Sequence, residues 1–317
     1  MLQTANDKGV KSVRQEPRRA KHAKPISLTY KQKNLMWIWV FLAPSIVAFL
    51  AFYLMPIVTL IGSSFTRWDG SRPPVFNGIA NYVTLVNSVA FQKSIQNLLI
   101  WTLVAATVHV AYSVLIAAYL YKKPLGGRFV RVIYMVPNII APAAWAMIYR
   151  YFYNQDIGIV NHIIRFFIPG YSVPWLYVSP QAMIAVTMTW VFYGVVGTLI
   201  VLGDLMAIPS ELHEAARIDG AGDWKITRLI NLPLCRISIG TNILLSINAR
   251  ITMYEMIRFT TRGGPINDTW NLPLILTDAI QNSNYGYANA VGSIMFAFGL
   301  IVLVIINRAL RMHESVY

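Results

Sequence analysis

Six stretches of this sequence are apolar for long enough to cross a lipid bilayer, and that property leaves few folds open. They run roughly over 36–62, 97–121, 129–152, 182–203, 237–259 and 288–307. A backbone inside hydrocarbon has no water to bond, so a crossing segment must satisfy its own N–H and C=O groups, as a helix does. About 20 apolar residues span the ~30 Å of hydrocarbon. Hydrophobic residues make up 56% of the 317 and charged residues 13%, which is too apolar for a soluble domain of this size. The expectation is an all-α polytopic membrane protein with six transmembrane helices. Pro137 and Pro142 fall in the third window, and Arg250 and Glu255 in the fifth, so these two carry the poorest apolar signal.

The net charge of +14 would fit a nucleic-acid partner, but its distribution gives a different reading. With the N-terminus in the cytoplasm, nineteen of the 27 Lys and Arg fall in inside segments and seven outside, and Arg250 lies within a span. This is the positive-inside asymmetry, and it accounts for the charge without nucleic acid. It predicts both termini, the 122–128 turn and the 204–236 loop on the cytoplasmic side. Residues 1–34 are polar and basic, without hydrophobic periodicity. They read as a disordered cytoplasmic tail able to touch anionic membrane lipid. The transmembrane domain is expected over 35–310 and a short cytoplasmic tail over 311–317. The first apolar run is too long for a signal-peptide core and no A-x-A-like site follows it, so it is expected to stay as a span. Cys235 is the sole cysteine, which rules out an intrachain disulfide.

The cytoplasmic segment 204–236 has a pattern of its own. Pro209-Ser210 reads as a helix start with Ser210 as N-cap and Glu211 and Glu214 in the first turn, where acids suit the dipole. Ala215 and Ala216 favour helix and carry little bulk. Gly220 and Gly222 can end the helix, Asp223 can cap a second one, and Pro233 can close it. The product is helix, tight turn, helix at a membrane surface. Glu214-Ala215-Ala216, then Gly220 after three residues and Ile230-Asn231-Leu232-Pro233 after nine more, resembles the EAA loop of bacterial ABC importer permeases.

The resemblance covers about 36–310. Phe65-Thr66-Arg67-Trp68-Asp69-Gly70 and Asn81-Tyr82 are similar to the start of maltose-transporter-type sugar permeases, and Pro137, Trp145, Gly158 and Asn161 to the family's third span and following loop. Tyr254-Glu255 stands where that family usually has Phe-Asp. Thr261 to Pro265, with Asn267 and Thr269, resembles its T-x-G-G-P segment, and Tyr285-Gly286-Tyr287-Ala288 its approach to the last span. Arg262 departs from the small residue common there. The resemblance implies a type I ABC importer permease in a bacterial plasma membrane. Its implied partners are a second homologous permease, two ATPase subunits and an external solute-binding protein. It implies alternating access, a sugar or oligosaccharide substrate, and Glu214, Ala215, Ala216, Asp219 and Gly220 as the coupling contact.

No G-x-x-x-x-G-K-[ST], H-E-x-x-H or Cys/His cluster occurs in the sequence. The chain therefore reads as a transport subunit and not an enzyme, with no cofactor of its own, and ATP and Mg are expected in the partner ATPases. In the fifth span Asn242, Ser246, Arg250, Tyr254 and Arg258 recur every four residues along one side of a helix. Thr241, Asn248, Thr252 and Glu255 occupy the other side. A helix polar on two sides belongs inside the bundle or against a wet cavity. Asn242, Ser246, Arg250, Tyr254 and Glu255, with Trp145 and Tyr193, are the candidate substrate-path residues, although Arg250 and Glu255 fit structural pairing equally well. His109 reads as a helix-contact histidine, and Trp68, Trp175, Tyr177 and Trp270 as interfacial anchors. Two other readings remain open at this point. A permease for amino acids, phosphate or polyamines would share the loop, and a proton-coupled transporter would need a carboxylate relay of which only Glu255 lies clearly within a span.

Overall fold

The computed structural model describes residues 30–310. The tail expected over 311–317, and all of the N-terminal tail before Tyr30, lie outside the described residues. A helix is already under way at Tyr30, inside the segment read as tail. The chain divides into a first unit ending at Met55 and a second beginning at Pro56.

The first unit contains α1 (Tyr30–Phe49), which holds Pro44, and a π-helical turn, Leu50–Leu54. Trp37, Phe41 and Phe52 are largely exposed. A water-soluble fold would hide such side chains, but hydrocarbon is as good a solvent for them as a protein core.

The second unit is almost entirely helical. It begins in α2 (Met55–Ser64), and a two-stranded ribbon follows, β1 (Thr66–Arg67) against β2 (Val75–Phe76), with Thr66 opposite Phe76. Next come α3 (Ala80–Val86), α4 (Val89–Val104), a π turn Ala105–His109, and α5 (Val110–Tyr121). Then follow α6 (Gly127–Ile139), α7 (Pro142–Phe152), α8 (Ile159–Phe167), α9 (Gln181–Met188) and α10 (Val195–Ala207). The 204–236 segment supplies α11 (Ser210–Ile218), α12 (Asp223–Ile226), a π turn Thr227–Asn231 and α13 (Leu232–Leu234). The chain finishes with α14 (Arg236–Ile251), α15 (Glu255–Phe259), α16 (Leu272–Gln281) and α17 (Tyr285–Ala309).

Among the described residues three helical runs, Asn34–Ser64, Val89–Tyr121 and Tyr285–Ala309, are long and apolar enough to cross a membrane by themselves, and counting bent pairs as single crossings gives up to six. The third, fourth and fifth windows are therefore not the continuous helices the apolar pattern implied. In the third, α6 and α7 meet at 104° because Pro142 forces Ala141 into extended backbone and then starts α7. The fourth is broken over 189–194, between α9 and α10. The fifth stops at Ile251, where the Asn271 side-chain amide donates to the Met253 carbonyl.

The core is built where small residues let helices meet. Gly194 and Gly197 lie on α10 and its entry, and a Cβ at Gly194 would sit 2.7 Å from that of Ser113 on α5. One buried cluster joins Trp101, Ala105, Ala146, Trp190, Met253 and Ile257; another joins Leu85, Leu98, Ile251, Leu272 and Val291. Buried amides tie helices to the neighbouring chain. Asn81 donates to Ser64 O (2.8 Å) and Thr66 O (2.9 Å), Asn97 to Asp268 O and Trp270 O (both 2.9 Å), and Asn161 to Gln155 O (3.0 Å) and Val173 O (2.8 Å). Each bond satisfies a backbone carbonyl at or beyond the end of a helix or strand.

Candidate functional sites: an exposed helix-turn-helix and a central cavity

The first site is the 204–236 segment. Nothing on α11 is buried, although Leu212 (44% exposed) and Ile218 (87%) are apolar. Its end is fixed by geometry that the sequence made possible. Gly220 has φ +77°, the Gly220 N–H donates to Arg217 O (3.0 Å) and the Ala221 N–H to Ala216 O (2.8 Å). These are the paired bonds of a Schellman turn with glycine in the left-handed position. Gly222 has φ −73°, open to any residue, so it is not a second breaker of that kind.

The expected caps differ from what forms. Pro209, not Ser210, is the N-cap of α11, and no side chain caps it. Gly222, not Asp223, caps α12. Asp223 turns instead to the 122–128 turn, accepting from Lys122 Nζ at 2.9 Å with Arg217 at 3.9 Å. The Lys122 hydrogen bond and charge, and then Arg217, hold the Asp223 carboxyl below the usual carboxylate range. Pro233 lies inside α13 and does not close the segment. His213 Nε2 meets Asn231 Oδ1 at 2.7 Å, so the face of α11 turned from solvent is tied back to the second helix of the segment. Glu214, Ala215, Asp219 and Gly220 are exposed and Ala216 half-buried, and Glu214 also borders a cavity of about 520 Å³ behind α11. The arrangement can accept a protein partner on the exposed side and pass movement to α5 and α14 through the Lys122–Asp223 and His213–Asn231 links.

The second site is a cavity of about 550 Å³ between α6, α7, α14 and the broken fourth crossing. Trp145, Tyr193, Asn242, Ser246, Arg250 and Glu255 all line it. Tyr254 does not. It is half-buried against the Trp101–Ile257 cluster, because α14 ends three residues earlier and the every-fourth-residue stripe stops with it. Arg258 also leaves the stripe and pairs with Asp278 on α16 at 3.7 Å. Thr252 and Glu255, expected on the far side from Arg250, line the same cavity.

Asn242 is 1% exposed and donates to Ser113 Oγ at 2.6 Å, while its Oδ1 accepts from Ser246 Oγ at 3.2 Å. It is therefore a staple between α5 and α14 as well as a lining residue. The Arg250 guanidinium lies 4.1 Å from the Trp190 ring centroid, with Met253 Sδ at 3.5 Å from Nη1, and it has no carboxylate partner among the described residues. A cation over an indole face in a desolvated site is held by ~2 kcal/mol or more, enough to keep this side chain in place. Trp145 donates to Thr189 O (3.0 Å) and meets Tyr193 edge-on at 5.1 Å, and the Tyr149 hydroxyl reaches that of Tyr193 at 3.3 Å. Rigid aromatic faces beside amide, hydroxyl and guanidinium donors can hold a polyol by its C–H faces and hydroxyls.

His109 is a helix contact, with Nδ1 3.0 Å from Val191 O. Trp68, Trp175 and Trp270 are half-buried, Trp68 beside Tyr285, Trp175 bonded to Asn161 Oδ1 (2.8 Å) and Trp270 against the two core clusters, while Tyr177 is 64% exposed. The sequence reading passed over Thr189, Gly194 and Gly197, which shape one wall of the cavity. The two glycines, three residues apart in an apolar run, were the available sign of close helix approach.

This architecture has counterparts. Two structures of a bacterial alginate ABC transporter, one in complex with an alginate pentasaccharide-bound periplasmic protein, align with TM-scores of 0.73 and 0.74 at 20% identity. They cover 87% and 89% of this chain and 94% and 98% of theirs, which shows the fold. The multiple sugar-binding transport system permease protein MsmF of Streptococcus mutans is 30% identical over 278 residues, 87% of this chain and 95% of that protein. The trehalose/maltose transport system permease protein MalF of Thermococcus litoralis is 27% identical over 288 residues. Residues 111–313, which hold both sites, match the family described as "Binding-protein-dependent transport system inner membrane component". The chain belongs to that family of multi-pass ABC importer permeases, which are transport subunits and not enzymes.

Proposed function

We propose that this chain is the membrane subunit of an ATP-driven importer for a sugar or oligosaccharide, working by alternating access. A second homologous permease, two ATPase subunits that hold ATP and Mg, and an external solute-binding protein complete the assembly. Both termini and 204–236 face the cytoplasm in this reading, which the charge asymmetry supports. Glu214, Ala215, Ala216, Asp219 and Gly220 seat in the ATPase, and closure of the ATPase moves α11 and, through Asp223 and His213, the helices around the central cavity. Trp145, Tyr193 and Arg250 hold the passing sugar, with Ser246 and Glu255 beside them. The observation that carries this reading is the cavity itself, aromatic-walled and donor-lined, joined by α14 to an exposed helix ended by a glycine turn. The sugar relatives support the substrate class, since MsmF and the trehalose/maltose permease are named for sugars.

The test is ATP-dependent uptake of labelled oligosaccharides by the four-part complex in proteoliposomes. Uptake is expected only with ATP and the binding protein, and Gly220→Pro is expected to abolish it while the complex stays assembled. Uptake driven by a proton gradient without the ATPase would overturn the proposal, as would uptake of amino acids or phosphate and of no sugar.

A further inference from the structure

A second cavity near the α11 end of the molecule has a different character from the path just described. It measures about 610 Å³ and lies between the 122–127 turn, the first turns of α6 and the end of α10. Three cations line it, Lys123, Arg128 and Arg131, and no carboxylate does. None of the three has an ion pair or hydrogen bond from its side chain among the described residues, whereas the neighbouring Lys122 and Arg217 both reach Asp223. Arg128 and Arg131 sit one turn apart on the same side of α6. The N-cap of α6 is Gly126, at φ +79°, with no side-chain cap, so the positive end of that helix dipole adds to the three charges.

The opposite wall is apolar, formed by Leu120, Leu202 and Met206. Beside it α6 exposes Phe129, Val132 and Ile133. Concentrated positive charge beside a greasy wall is poorly matched to free phosphate, which has no use for the wall. It is well matched to an amphiphile whose headgroup is anionic and whose chains continue along α6.

We propose that this cavity binds the headgroup of an anionic phospholipid of the cytoplasmic leaflet, with Lys123, Arg128 and Arg131 on the phosphate. The proposal rests on the cytoplasmic orientation given above. Ser210, the first residue of α11, also lines the cavity. A bound headgroup therefore touches the start of the helix that meets the ATPase, and it steadies that end during coupling.

The test uses the assembled complex with spin-labelled phosphatidylglycerol or spin-labelled phosphatidylcholine in phosphatidylcholine vesicles. The expected result is a motionally restricted fraction favouring the anionic label about tenfold, about twofold for each of the three cations, which is below the ~1 kcal/mol upper value for a cation at an anionic surface. Arg128→Gln/Arg131→Gln is expected to reduce that preference to about twofold or less. Arg128→Lys/Arg131→Lys keeps it, and the charge-matched control Lys225→Gln/Arg228→Gln, exposed and outside the cavity lining, also keeps it. An equal preference in the Gln pair and the parent would overturn the proposal. So would competition by millimolar inorganic phosphate as effective as that by unlabelled phosphatidylglycerol, which would make the site one for free phosphate. Loss of preference in the Lys225/Arg228 control to the same extent would reduce the effect to general charge and overturn the site. Sidedness is read separately, by labelling a cysteine at position 222 in intact cells, so a failed orientation is distinguishable from a failed lipid site.

Discussion

Asn242 and Gly197 form a pair whose coupling can be measured. The Asn242 amide fills the space that a Cβ at position 197 would occupy, and it holds two hydrogen bonds, to Ser113 at 2.6 Å and from Ser246 at 3.2 Å. The Ser113 bond joins two membrane helices and is worth about 0.6–1.7 kcal/mol, and truncating the buried side chain leaves a cavity besides, so Asn242→Ala is expected to cost about 1–3 kcal/mol. Gly197→Ala gains about 1 kcal/mol of helix propensity but forces a methyl into the amide, and overpacking costs about 1–3 kcal/mol, so the clash decides the sign. In the double variant the clash is gone. It should be no less stable than Asn242→Ala alone, which makes the coupling term about −1 to −3 kcal/mol. Reversible unfolding of the purified chain by SDS in mixed micelles, taken around the four-member cycle, gives this term directly. Additivity within about 0.5 kcal/mol would refute the argument that the two sites touch. A fully stable Asn242→Ala would refute the staple and leave that residue to the pathway alone.

Gly220→Ala is expected to cost about 1 kcal/mol for a Cβ at positive φ, and to lower ATPase stimulation by the binding protein more than it lowers assembly; unchanged stimulation would count against the turn as a coupling element. Asp223, held below its ordinary value of 3.8 by Lys122, stabilises the segment above that pH, and the contribution is lost as pH falls further through the folded value. Carboxyl NMR of the labelled protein should show this depressed titration at low salt and a smaller depression at high salt, because both partners are exposed. In a Cys235→Ser background, single cysteines at 249 and 252 should react with a polar thiol reagent and those at 254 and 257 should not; reaction at 254 would restore the unbroken stripe. A cysteine at 222 should label only from the cytoplasmic side.

The sequence by itself determined the class of the fold and the position of the exposed segment. Runs of about 20 apolar residues leave the backbone no alternative to helix, and the glycine at 220 ends α11 wherever α11 sits, so both are local facts that survive without tertiary context. It also showed that 237–259 is too polar to face lipid, and Asn242, Ser246 and Arg250 do face inward. It could not show where that helix stops. The helix ends at Ile251, just before the Met253 carbonyl that accepts from the amide of Asn271, twenty residues later, and beyond that end Tyr254 packs against the core, Arg258 reaches Asp278 and Glu255 lines the cavity. The same holds for Asp223, whose place at an N-terminus reads as a cap until Lys122, about a hundred residues earlier, supplies a stronger partner. Asn81, Asn97 and Asn161 belong to this group too, since a helical amide has the same sequence signature whether it waits for a sugar or bonds the carbonyls of its own chain. Periodicity and glycine act within a few residues, whereas the partner of a buried polar group is chosen by whichever distant segment the packed bundle brings within 3 Å.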